Sequence, residues 1–241
     1  MRLLFIRHGD PDYSIDSLTP YGMKEAEALA EMLKNEKIDY MYCSPLGRAK
    51  KTCEFTEKAR GQKAEVKDFL HEFYGPINYP DDKLKYCCWD ILPEDFVDND
   101  DYFDRNKWFD TGIYKGTPVK DNYIRVCKEF DELLAQHGYE REGNIYKAVR
   151  PNKDTIAFFC HFGITATLMS HLFSVSPMVL WHNFVALPSS VTTIYTEERR
   201  EGKAMWRTAE FGSTQHLYKK ELEPSFAARF CETFDSEERH D

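Results

Sequence analysis

The sequence lacks an apolar run long enough to span a membrane. The amino terminus enters a strand-length apolar run at once, which leaves no room for a signal peptide. None of the seven cysteines is spaced as C-x-x-C, so no metal or redox motif of that kind is present. Most cysteines fall within apolar patterns, and we expect reduced, buried thiols at Cys43, Cys53, Cys127 and Cys160. These absences predict a cytoplasmic protein that does not bind membranes.

Net positive charge is also lacking. The 241 residues include 32 Lys and Arg against 41 Asp and Glu, which gives a formal net charge of -9. Nucleic-acid backbones are bound by clustered Lys and Arg, so this composition argues against a nucleic-acid partner. With 42% apolar residues the chain is long enough for a full core. We expect one domain over residues 1–241 that contains an insertion at about 75–120.

What the sequence does contain is a set of arginine and histidine side chains directly after strand-like runs. Three apolar runs of strand length are followed by such groups: 3–6 by Arg7-His8-Gly9, 39–43 by Arg48, and 155–160 by His161. In open α/β sheets, ligands bind beyond the carboxyl ends of the strands. If these strands are parallel neighbours, the four side chains meet in one pocket. Positive charge concentrated in an acidic protein is suited to holding a small anion.

Two helices are predicted to begin with a capping residue followed by proline. Thr19-Pro20 begins the first, and Ser44-Pro45 begins the second, which should run to about Arg60. A helix that starts at the carboxyl edge of a sheet presents free backbone N–H groups and the positive end of its dipole. Phosphate is the usual guest of such a site. Arg48, one turn into the second helix, can add a bidentate guanidinium to the same anion.

The order of these elements predicts an α/β fold, specifically a three-layer α/β/α sandwich with a mostly parallel central sheet. The remaining predicted elements are a short strand at 65–70, a helix at about 122–136, a helix after His161, strands at 190–196 and 204–211, and a tail helix through Phe226, Phe230 and Phe234. Residues from about 75 to 120 have no clean period and are rich in Asp and aromatic residues. Because this aromatic content argues against disorder, we expect an ordered, inserted lid or subdomain.

Each candidate residue also has a purely structural interpretation. A histidine at a strand end often only satisfies a backbone group, and a helix arginine is often solvated. The adjacency of Arg7 to His8, together with a second strand-end histidine, favours a functional site. A metal site formed by His8, His161 and a carboxylate is the alternative. Two arginines beside such a site would repel a cation, so we expect no metal and no cofactor.

Five stretches of the chain carry a more specific pattern. In order, they are Arg7-His8-Gly9, LTPYG at 18–22, SPLGRAKKT at 44–52, LHEFYG at 70–75, and His161-Phe162-Gly163. They resemble signature elements of the histidine phosphatase superfamily, also called the phosphoglycerate mutase-like family. The fourth stretch resembles the region that carries the family's acid, and the fifth resembles the element with its second histidine. The resemblance spans nearly the whole chain except the insertion.

The resemblance implies phosphoryl transfer through a covalent phosphohistidine. His8 would attack phosphorus in line through a neutral ring nitrogen, with its other nitrogen held by a hydrogen bond. Glu72 would protonate the leaving oxygen and then activate the attacking water. The phosphate oxygens would be held by Arg7, Arg48 and His161. This chemistry needs no metal.

Three further positions are candidates for phosphate or substrate binding, and each departs from the family pattern. Asp10 stands where the family usually has Glu or Gln, Ser14 where Asn commonly binds phosphate, and Phe162 where a small residue is usual. The resemblance therefore implies a role for these positions but with altered side chains.

The resulting functional hypothesis is a metal-independent phosphatase of the histidine acid type that hydrolyses small phosphomonoester metabolites. A phosphoglycerate mutase is the alternative enzyme, although the Trp-Asn of its longer signature is missing from residues 12–14. We also find no counterpart to the extra substrate-binding arginine pair of the mutases in the insertion. A catalytically silent protein-binding module of the same fold is the third hypothesis, against which the presence of all five expected active-site residues argues.

Overall fold

The computed structural model of the chain describes residues 1–80, 85–226, 229 and 232–239. The strands are β1 (Arg2–Arg7), β2 (Pro11–Asp12), β3 (Ser17–Leu18), β4 (Tyr40–Cys43), β5 (Glu65–Val66), β6 (Tyr139–Glu142), β7 (Ile145–Ala148), β8 (Thr155–Cys160), β9 (Val191–Arg200) and β10 (Lys203–Ser213). The α-helices are α1 (Pro20–Leu33), α2 (Gly47–Arg60), α3 (Val119–Gln136), α4 (Phe162–Phe173), α5 (Pro177–Asn183) and α6 (Gln215–Tyr218). Within these described ranges, no helix is both long and apolar enough to cross a membrane.

The central sheet has eight strands in the order β5-β4-β8-β1-β9-β10-β7-β6, and β2 pairs with β3 as a separate ribbon. The first four strands of this order pair in parallel, and the remaining pairs are antiparallel. The antiparallel strands alternate in direction, so only β9 and β7 run opposite to the other six strands of the sheet. Most strands therefore point the same way, as predicted. Arg7 pairs with Cys160, and Cys43 pairs with Phe159. Strands β1, β4 and β8 therefore end at the same edge of the sheet.

Helices cover both faces of the sheet, which confirms the predicted three-layer α/β/α arrangement. Successive side chains of a strand point to opposite faces. Leu4 of β1 packs in a cluster with residues of α1 and α2, whereas Phe5 packs in a second cluster with residues of α3 and α4. Both faces of β1 are buried, which explains why its sequence is a continuous apolar run rather than an alternating one.

Of the two predicted helix starts, the first is confirmed and the second is wrong. Thr19 caps α1 through its side chain, which accepts a hydrogen bond from the N–H of Gly22 at 3.0 Å. Gly22 is required at this position because a Cβ there would lie 2.2 Å from the carbonyl oxygen of Asp10. The predicted Ser44-Pro45 start of the second helix is wrong. Helix α2 begins at Gly47, and Leu46 precedes it without a side-chain cap. Ser44 lies before the first turn, and its hydroxyl is hydrogen-bonded to a histidine and to the N–H of Leu46.

Several predicted boundaries shift. The strand expected at 65–70 is only β5, and a 3₁₀-helix at Asp68–Leu70 follows it. The hairpin of β6 and β7 was not predicted, and α3 begins three residues earlier than expected. In the predicted tail helix, Phe226 lies in a bend and Phe234 in a turn, while Phe230 lies outside the described residues.

The described part of the segment 75–120 consists mostly of irregular loops and turns and includes four short 3₁₀-helices: Pro93–Asp95, Asp100–Tyr102, Trp108–Asp110 and Gly112–Tyr114. Its aromatic side chains do not form a separate core. Trp108 is fully buried, and its ring centroid lies 5.2 Å from those of both Tyr123 in α3 and Trp181 in α5. The segment thus packs against the same hydrophobic cluster as the central sheet. The absence of a sequence period follows from the irregular turns.

The cysteine predictions are confirmed in the described residues. Cys43, Cys53, Cys127 and Cys160 are all free and buried. Burial raises the pKa of the Cys160 thiol to about 12, which keeps it protonated and unreactive at neutral pH.

Candidate active site

Four side chains at the carboxyl edge of the sheet lie together. Arg7 ends β1, His8 and His161 directly follow β1 and β8, and Arg48 lies in the first turn of α2. The ring centroids of His8 and His161 are 5.1 Å apart, and Arg48 Nε lies 3.3 Å from His8 Nε2. Each of the four residues is at most 6% exposed. Together with Glu72, which reaches this edge from a loop, these residues are called the His8 cluster below.

The protonation state of His8 is fixed by its surroundings. Its Nδ1 lies 2.7 Å from the carbonyl oxygen of Gly9, and a carbonyl only accepts, so Nδ1 carries the proton. Its Nε2 therefore holds the lone pair and accepts a hydrogen bond from Arg48 Nε. Burial is the main reason that the pKa of His8 lies well below its ordinary value, and the charges of Arg7 and Arg48 lower it further. His8 is thus a neutral imidazole with a lone pair facing a cation.

Arg48 is oriented by a carboxylate from the loop between β2 and β3. Asp16 Oδ1 accepts a hydrogen bond from Arg48 Nη1 at 2.7 Å, and Asp16 Oδ2 accepts one from the N–H of Gly47 at 2.6 Å. Burial would raise the pKa of Asp16, but these hydrogen bonds outweigh it and leave the pKa lowered. The positive φ of 46° at Asp16 folds the loop back onto α2. Consequently the N-terminus of α2, which we expected to be free for phosphate, already binds this carboxylate.

Arg7 is oriented by the loop that connects α5 to β9. Its Nη1 donates to the carbonyl oxygen of Ala186 at 2.5 Å, and its backbone N–H donates to Ser190 at 3.1 Å. The N–H of Ser189 in turn donates to the carbonyl of His8 at 2.9 Å. The end of β1 is therefore held by backbone contacts on the side opposite β8.

His161 is hydrogen-bonded to Ser44, a residue that the sequence analysis treated as a helix cap. Ser44 Oγ lies 2.8 Å from His161 Nε2 and accepts a longer hydrogen bond from the N–H of Leu46 at 3.3 Å. Ser44 is fully buried, so its hydroxyl proton needs an acceptor, and Nε2 provides one. This assigns the proton of the neutral His161 ring to Nδ1, which has no hydrogen-bond partner among the described residues. Nδ1 is thus available as a donor to an anion.

Glu72 is buried at the N-terminus of α4. Its Oε1 accepts hydrogen bonds from the N–H groups of Phe73 at 2.7 Å and Ile164 at 2.9 Å. Burial is the dominant influence and raises the pKa of Glu72, although these hydrogen bonds and the nearby arginines oppose the shift. A buried carboxyl group with a raised pKa can hold a proton at neutral pH and is suited to proton transfer.

Gly163 allows Glu72 and Trp89 to approach the start of α4. A Cβ at Gly163 would lie 2.8 Å from Glu72 Oε1 and 2.6 Å from Trp89 Nε1. The ring of Trp89 also packs edge-on against Phe162, with centroids 5.8 Å apart. In the motif His161-Phe162-Gly163, three successive residues thus supply a histidine, a buried aromatic ring and a glycine that leaves room for Glu72 and Trp89.

Two predicted binding residues make their hydrogen bonds away from the cluster. Asp10 accepts hydrogen bonds from Thr19 Oγ1 at 2.5 Å and from Ser225 Oγ at 2.6 Å, so it connects the first loop to the tail. Ser14 is exposed and bonds to Asp12 Oδ1 at 2.5 Å. Phe162, in contrast, lies directly beside His161 and is buried.

Sequence reasoning missed three residues that contact the cluster. Ser44 was visible as the residue after a strand, but a serine before proline is equally typical of a helix cap. Asp16 had no signal, because its pairing with Arg48 depends on a backbone turn with positive φ. Trp89 was one of many aromatic residues in an aperiodic segment.

The described residues contain no group of three or more His, Cys, Asp or Glu side chains placed to hold a metal ion. The groups that do converge are two guanidinium cations, a neutral imidazole whose Nε2 lone pair faces one of them, a second imidazole that can donate, and a carboxyl group with a raised pKa. This set can bind an anionic oxygen cluster, attack its central atom and exchange a proton with a leaving group.

No curated protein matches the chain in sequence. Among similar solved structures, phosphoserine phosphatase from Entamoeba histolytica is 20% identical with a TM-score of 0.59, covering 90% of this chain and 98% of that chain. A mycobacterial glucosyl-3-phosphoglycerate phosphatase is 19% identical with a TM-score of 0.60, covering 88% and 98%. A putative alpha-ribazole-5'-P phosphatase from Escherichia coli is 20% identical with a TM-score of 0.56, covering 89% and 98%. These similarities show a shared fold.

The family model described as "Histidine phosphatase superfamily (branch 1)" matches residues 3–208. The matched range contains every member of the His8 cluster and the sheet from the second residue of β1 to the middle of β10. The chain therefore belongs to the histidine phosphatase superfamily, branch 1.

Proposed function

We propose that the protein is a phosphomonoesterase that hydrolyses small phosphorylated metabolites through a phosphohistidine on His8. The observation that carries this proposal is the state of the His8 ring. The carbonyl of Gly9 holds the proton on Nδ1, and Nε2 presents its lone pair 3.3 Å from the Arg48 guanidinium. A phosphate group bound by that guanidinium would lie within reach of the nucleophile.

The remaining members of the cluster have complementary roles. Arg7 and Arg48 neutralise the charge on the phosphate oxygens, and His161 donates a hydrogen bond through Nδ1. Phe162 and Trp89 shield this side of the site from water because both are buried beside it. Asp10 and Ser14 stay predictions as phosphate ligands, since their hydrogen bonds are directed to Ser225 and Asp12.

The reaction proceeds in two displacements. In the first, the His8 Nε2–P bond forms and the ester P–O bond breaks, while Glu72 gives its proton to the leaving oxygen. In the second, a water molecule attacks phosphorus, gives a proton to the Glu72 carboxylate and displaces Nε2. Inorganic phosphate leaves, and both His8 and Glu72 return to their starting states.

The substrate class is supported by two observations. The similar structures include phosphatases named for phosphoserine, glucosyl-3-phosphoglycerate and alpha-ribazole-5'-P, which are small phosphate monoesters. The His8 cluster is also deeply buried, so only a small group can be enclosed by it.

The test is to detect the phosphoryl-enzyme. The protein is mixed with p-nitrophenyl phosphate, quenched in alkali, in which phosphohistidine survives, and examined by intact-mass spectrometry. His8→Ala is compared with His171→Gln, a variant at the opposite end of α4. We expect the wild type and His171→Gln to gain one phosphoryl group and release phosphate, and His8→Ala to do neither.

Other outcomes distinguish the alternatives. Undiminished turnover by His8→Ala would overturn the proposed nucleophile. Conversion of 3-phosphoglycerate to 2-phosphoglycerate without net phosphate release would instead indicate a mutase. Failure to release phosphate from a broad metabolite panel would indicate a silent binding module.

A further inference from the structure

We propose that His216 is a positioning residue for the nucleophile, because it holds Ser189 in the conformation in which Ser189 binds the backbone of His8. This inference rests on the proposed phosphatase function. It adds to the machinery of that function a residue of α6, which lies beyond the residues 3–208 that match the family model. His216 acts on His8 through Ser189, and each link in this chain of contacts is a hydrogen bond between buried groups.

The peptide unit between His8 and Gly9 is held at both of its polar atoms. Its oxygen, the carbonyl oxygen of His8, accepts a hydrogen bond from the N–H of Ser189 at 2.9 Å. Its N–H, which belongs to Gly9, donates to Thr52 Oγ1 at 3.0 Å. The next carbonyl along the chain, that of Gly9, accepts the 2.7 Å hydrogen bond from His8 Nδ1 that fixes the ring. A rotation of the held peptide unit would therefore displace the group that orients the nucleophile.

Ser189 presents its N–H to His8 from a strained turn. The N–H of Ser190 donates to the carbonyl oxygen of Leu187 at 3.0 Å, so Ser189 is the third residue of a four-residue turn and follows Pro188. The φ angle of Ser189 is 58°, a conformation for which this turn position favours glycine. Because a serine in this conformation is strained, an interaction of its side chain is needed to maintain it.

The side chain of His216 supplies that interaction. Its Nε2 lies 2.9 Å from Ser189 Oγ, and both residues are buried. The φ angle of a residue sets the direction of its N–H relative to its own side chain. The hydrogen bond that fixes the hydroxyl of Ser189 therefore also fixes the direction in which the N–H of Ser189 points toward His8.

Stability alone does not explain a histidine at position 216. Burial lowers the pKa of His216 to about 4, so the ring is neutral at physiological pH and contributes no charge. Its Nδ1 has no hydrogen-bond partner among the described residues. A buried polar ring with a single hydrogen bond contributes no more to stability than an apolar side chain of similar size. What distinguishes His216 from such a side chain is its hydrogen bond with Ser189.

Two variants that remove this hydrogen bond from opposite sides test the inference. For His216→Leu and for Ser189→Ala, stopped-flow release of nitrophenolate from p-nitrophenyl phosphate measures the rate constant for phosphorylation of His8. We expect this rate constant to fall about tenfold in each variant, because the nucleophile is less well oriented. The inhibition constant of inorganic phosphate should stay nearly the same, since Ala186 and Asp16 still hold the two guanidinium groups.

A conservative variant and a double variant separate positioning from a loss of packing. The side-chain amide of His216→Gln can take the place of Nε2 in the hydrogen bond with Ser189 Oγ, and this variant should recover most of the phosphorylation rate. His216→Leu and Ser189→Ala remove the same hydrogen bond. The double variant should therefore be no slower than either single variant.

His137→Leu is the matched control. His137 is also buried and hydrogen-bonded to a hydroxyl, because its Nε2 lies 2.8 Å from Tyr42 Oη. Its carbonyl oxygen accepts from the side chain of Asn152, whose own carbonyl binds the terminal ammonium group ahead of β1. His137 thus lies at the edge of the sheet opposite the His8 cluster. His137→Leu should lower the melting temperature about as much as His216→Leu does, but should leave the phosphorylation rate unchanged.

The outcomes separate this inference from the proposed function. If His216→Leu and Ser189→Ala are phosphorylated at the wild-type rate, the inference is overturned while the phosphatase proposal stands. Slow phosphorylation that His216→Gln does not rescue, or that His137→Leu shares, would show an effect of packing or stability and would also overturn it. If the wild type neither releases phosphate nor forms phosphohistidine, the phosphatase proposal fails, and the inference fails with it.

Discussion

Replacing Glu72 with glutamine separates the two halves of the proposed reaction. The change preserves the local fold, because the amide oxygen can still accept from the N–H groups of Phe73 and Ile164. The bond that changes is the 3.4 Å contact between Gly163 N–H and Oε2, which is the weakest of the three. Glu72→Gln therefore removes the exchangeable proton with little other disturbance.

The size of the decrease in kcat in Glu72→Gln depends on the leaving group of the substrate. General acid catalysis typically contributes about 10²- to 10⁴-fold, so kcat for an alkyl phosphate should fall by that amount in Glu72→Gln. Nitrophenolate leaves without a proton, so its release in the first step should be far less affected. The second step still lacks its base, so p-nitrophenyl phosphate should give a burst of about one nitrophenolate per active site, followed by slow turnover.

The pH dependence of the activity provides an independent test of these assignments. His8 acts when neutral, and burial lowers its pKa, so activity falls only when the pH drops far enough to protonate it. Glu72 acts as an acid when protonated, and burial raises its pKa, so alkyl phosphate turnover falls as the pH rises through that value. Glu72→Gln should abolish this alkaline decline in the residual activity.

Stopped-flow absorbance for p-nitrophenyl phosphate and phosphate release for ethyl phosphate measure these effects. Glu27→Gln, on the exposed side of α1, is the matched control and should behave as the wild type. Equal losses on both substrates, with no burst and an unchanged pH profile, would refute the assignment of Glu72 as the acid and base.

Four further changes test other parts of the site. Ser44→Ala removes the hydrogen bond that fixes the His161 tautomer and should lower kcat/KM roughly tenfold, whereas Ser44→Thr should recover most of it; no change in Ser44→Ala would contradict the tautomer assignment. Gly163→Ala places a methyl group against Glu72 and should lower kcat for ethyl phosphate about 10²-fold, and wild-type kinetics would show that the loop can yield. Trp108→Ala should lower the free energy of unfolding by about 3–5 kcal/mol in chemical denaturation, because the ring is fully buried against Trp181, and an unchanged midpoint would contradict its place in the core. EDTA should leave phosphate release unchanged, since the catalytic groups include two arginines and no metal is expected; loss of activity that zinc restores would favour a metallohydrolase.

The parts of the site that could be predicted from the sequence are those fixed by strand ends. Apolar runs indicate where β1 and β8 finish, and parallel pairing then brings Arg7, His8 and His161 to one edge without further information. The motif around Arg48 added the fourth group. These positions depend on local sequence patterns and on a general rule of sheet topology.

The other parts depend on contacts between distant segments. The pairing of Asp16 with Arg48 requires a left-handed turn, and the hydrogen bond between Ser44 and His161 joins residues that are 117 positions apart in the sequence. The segment 75–120 consists largely of irregular turns whose aromatic side chains have no period in the sequence. Such features are set by tertiary packing, so neither propensity nor spacing reveals them.

Asp16 gives Arg48 a built-in counter-charge. Its carboxylate accepts hydrogen bonds from Arg48 and from the first N–H of α2, two donors that could otherwise bind an anion. A phosphate bound by Arg48 would share the guanidinium with Asp16, which would weaken the binding of free product as well as that of substrate. We therefore expect the loop that carries Asp16 to limit the affinity of the site for phosphate, so that inorganic phosphate can leave and turnover can continue.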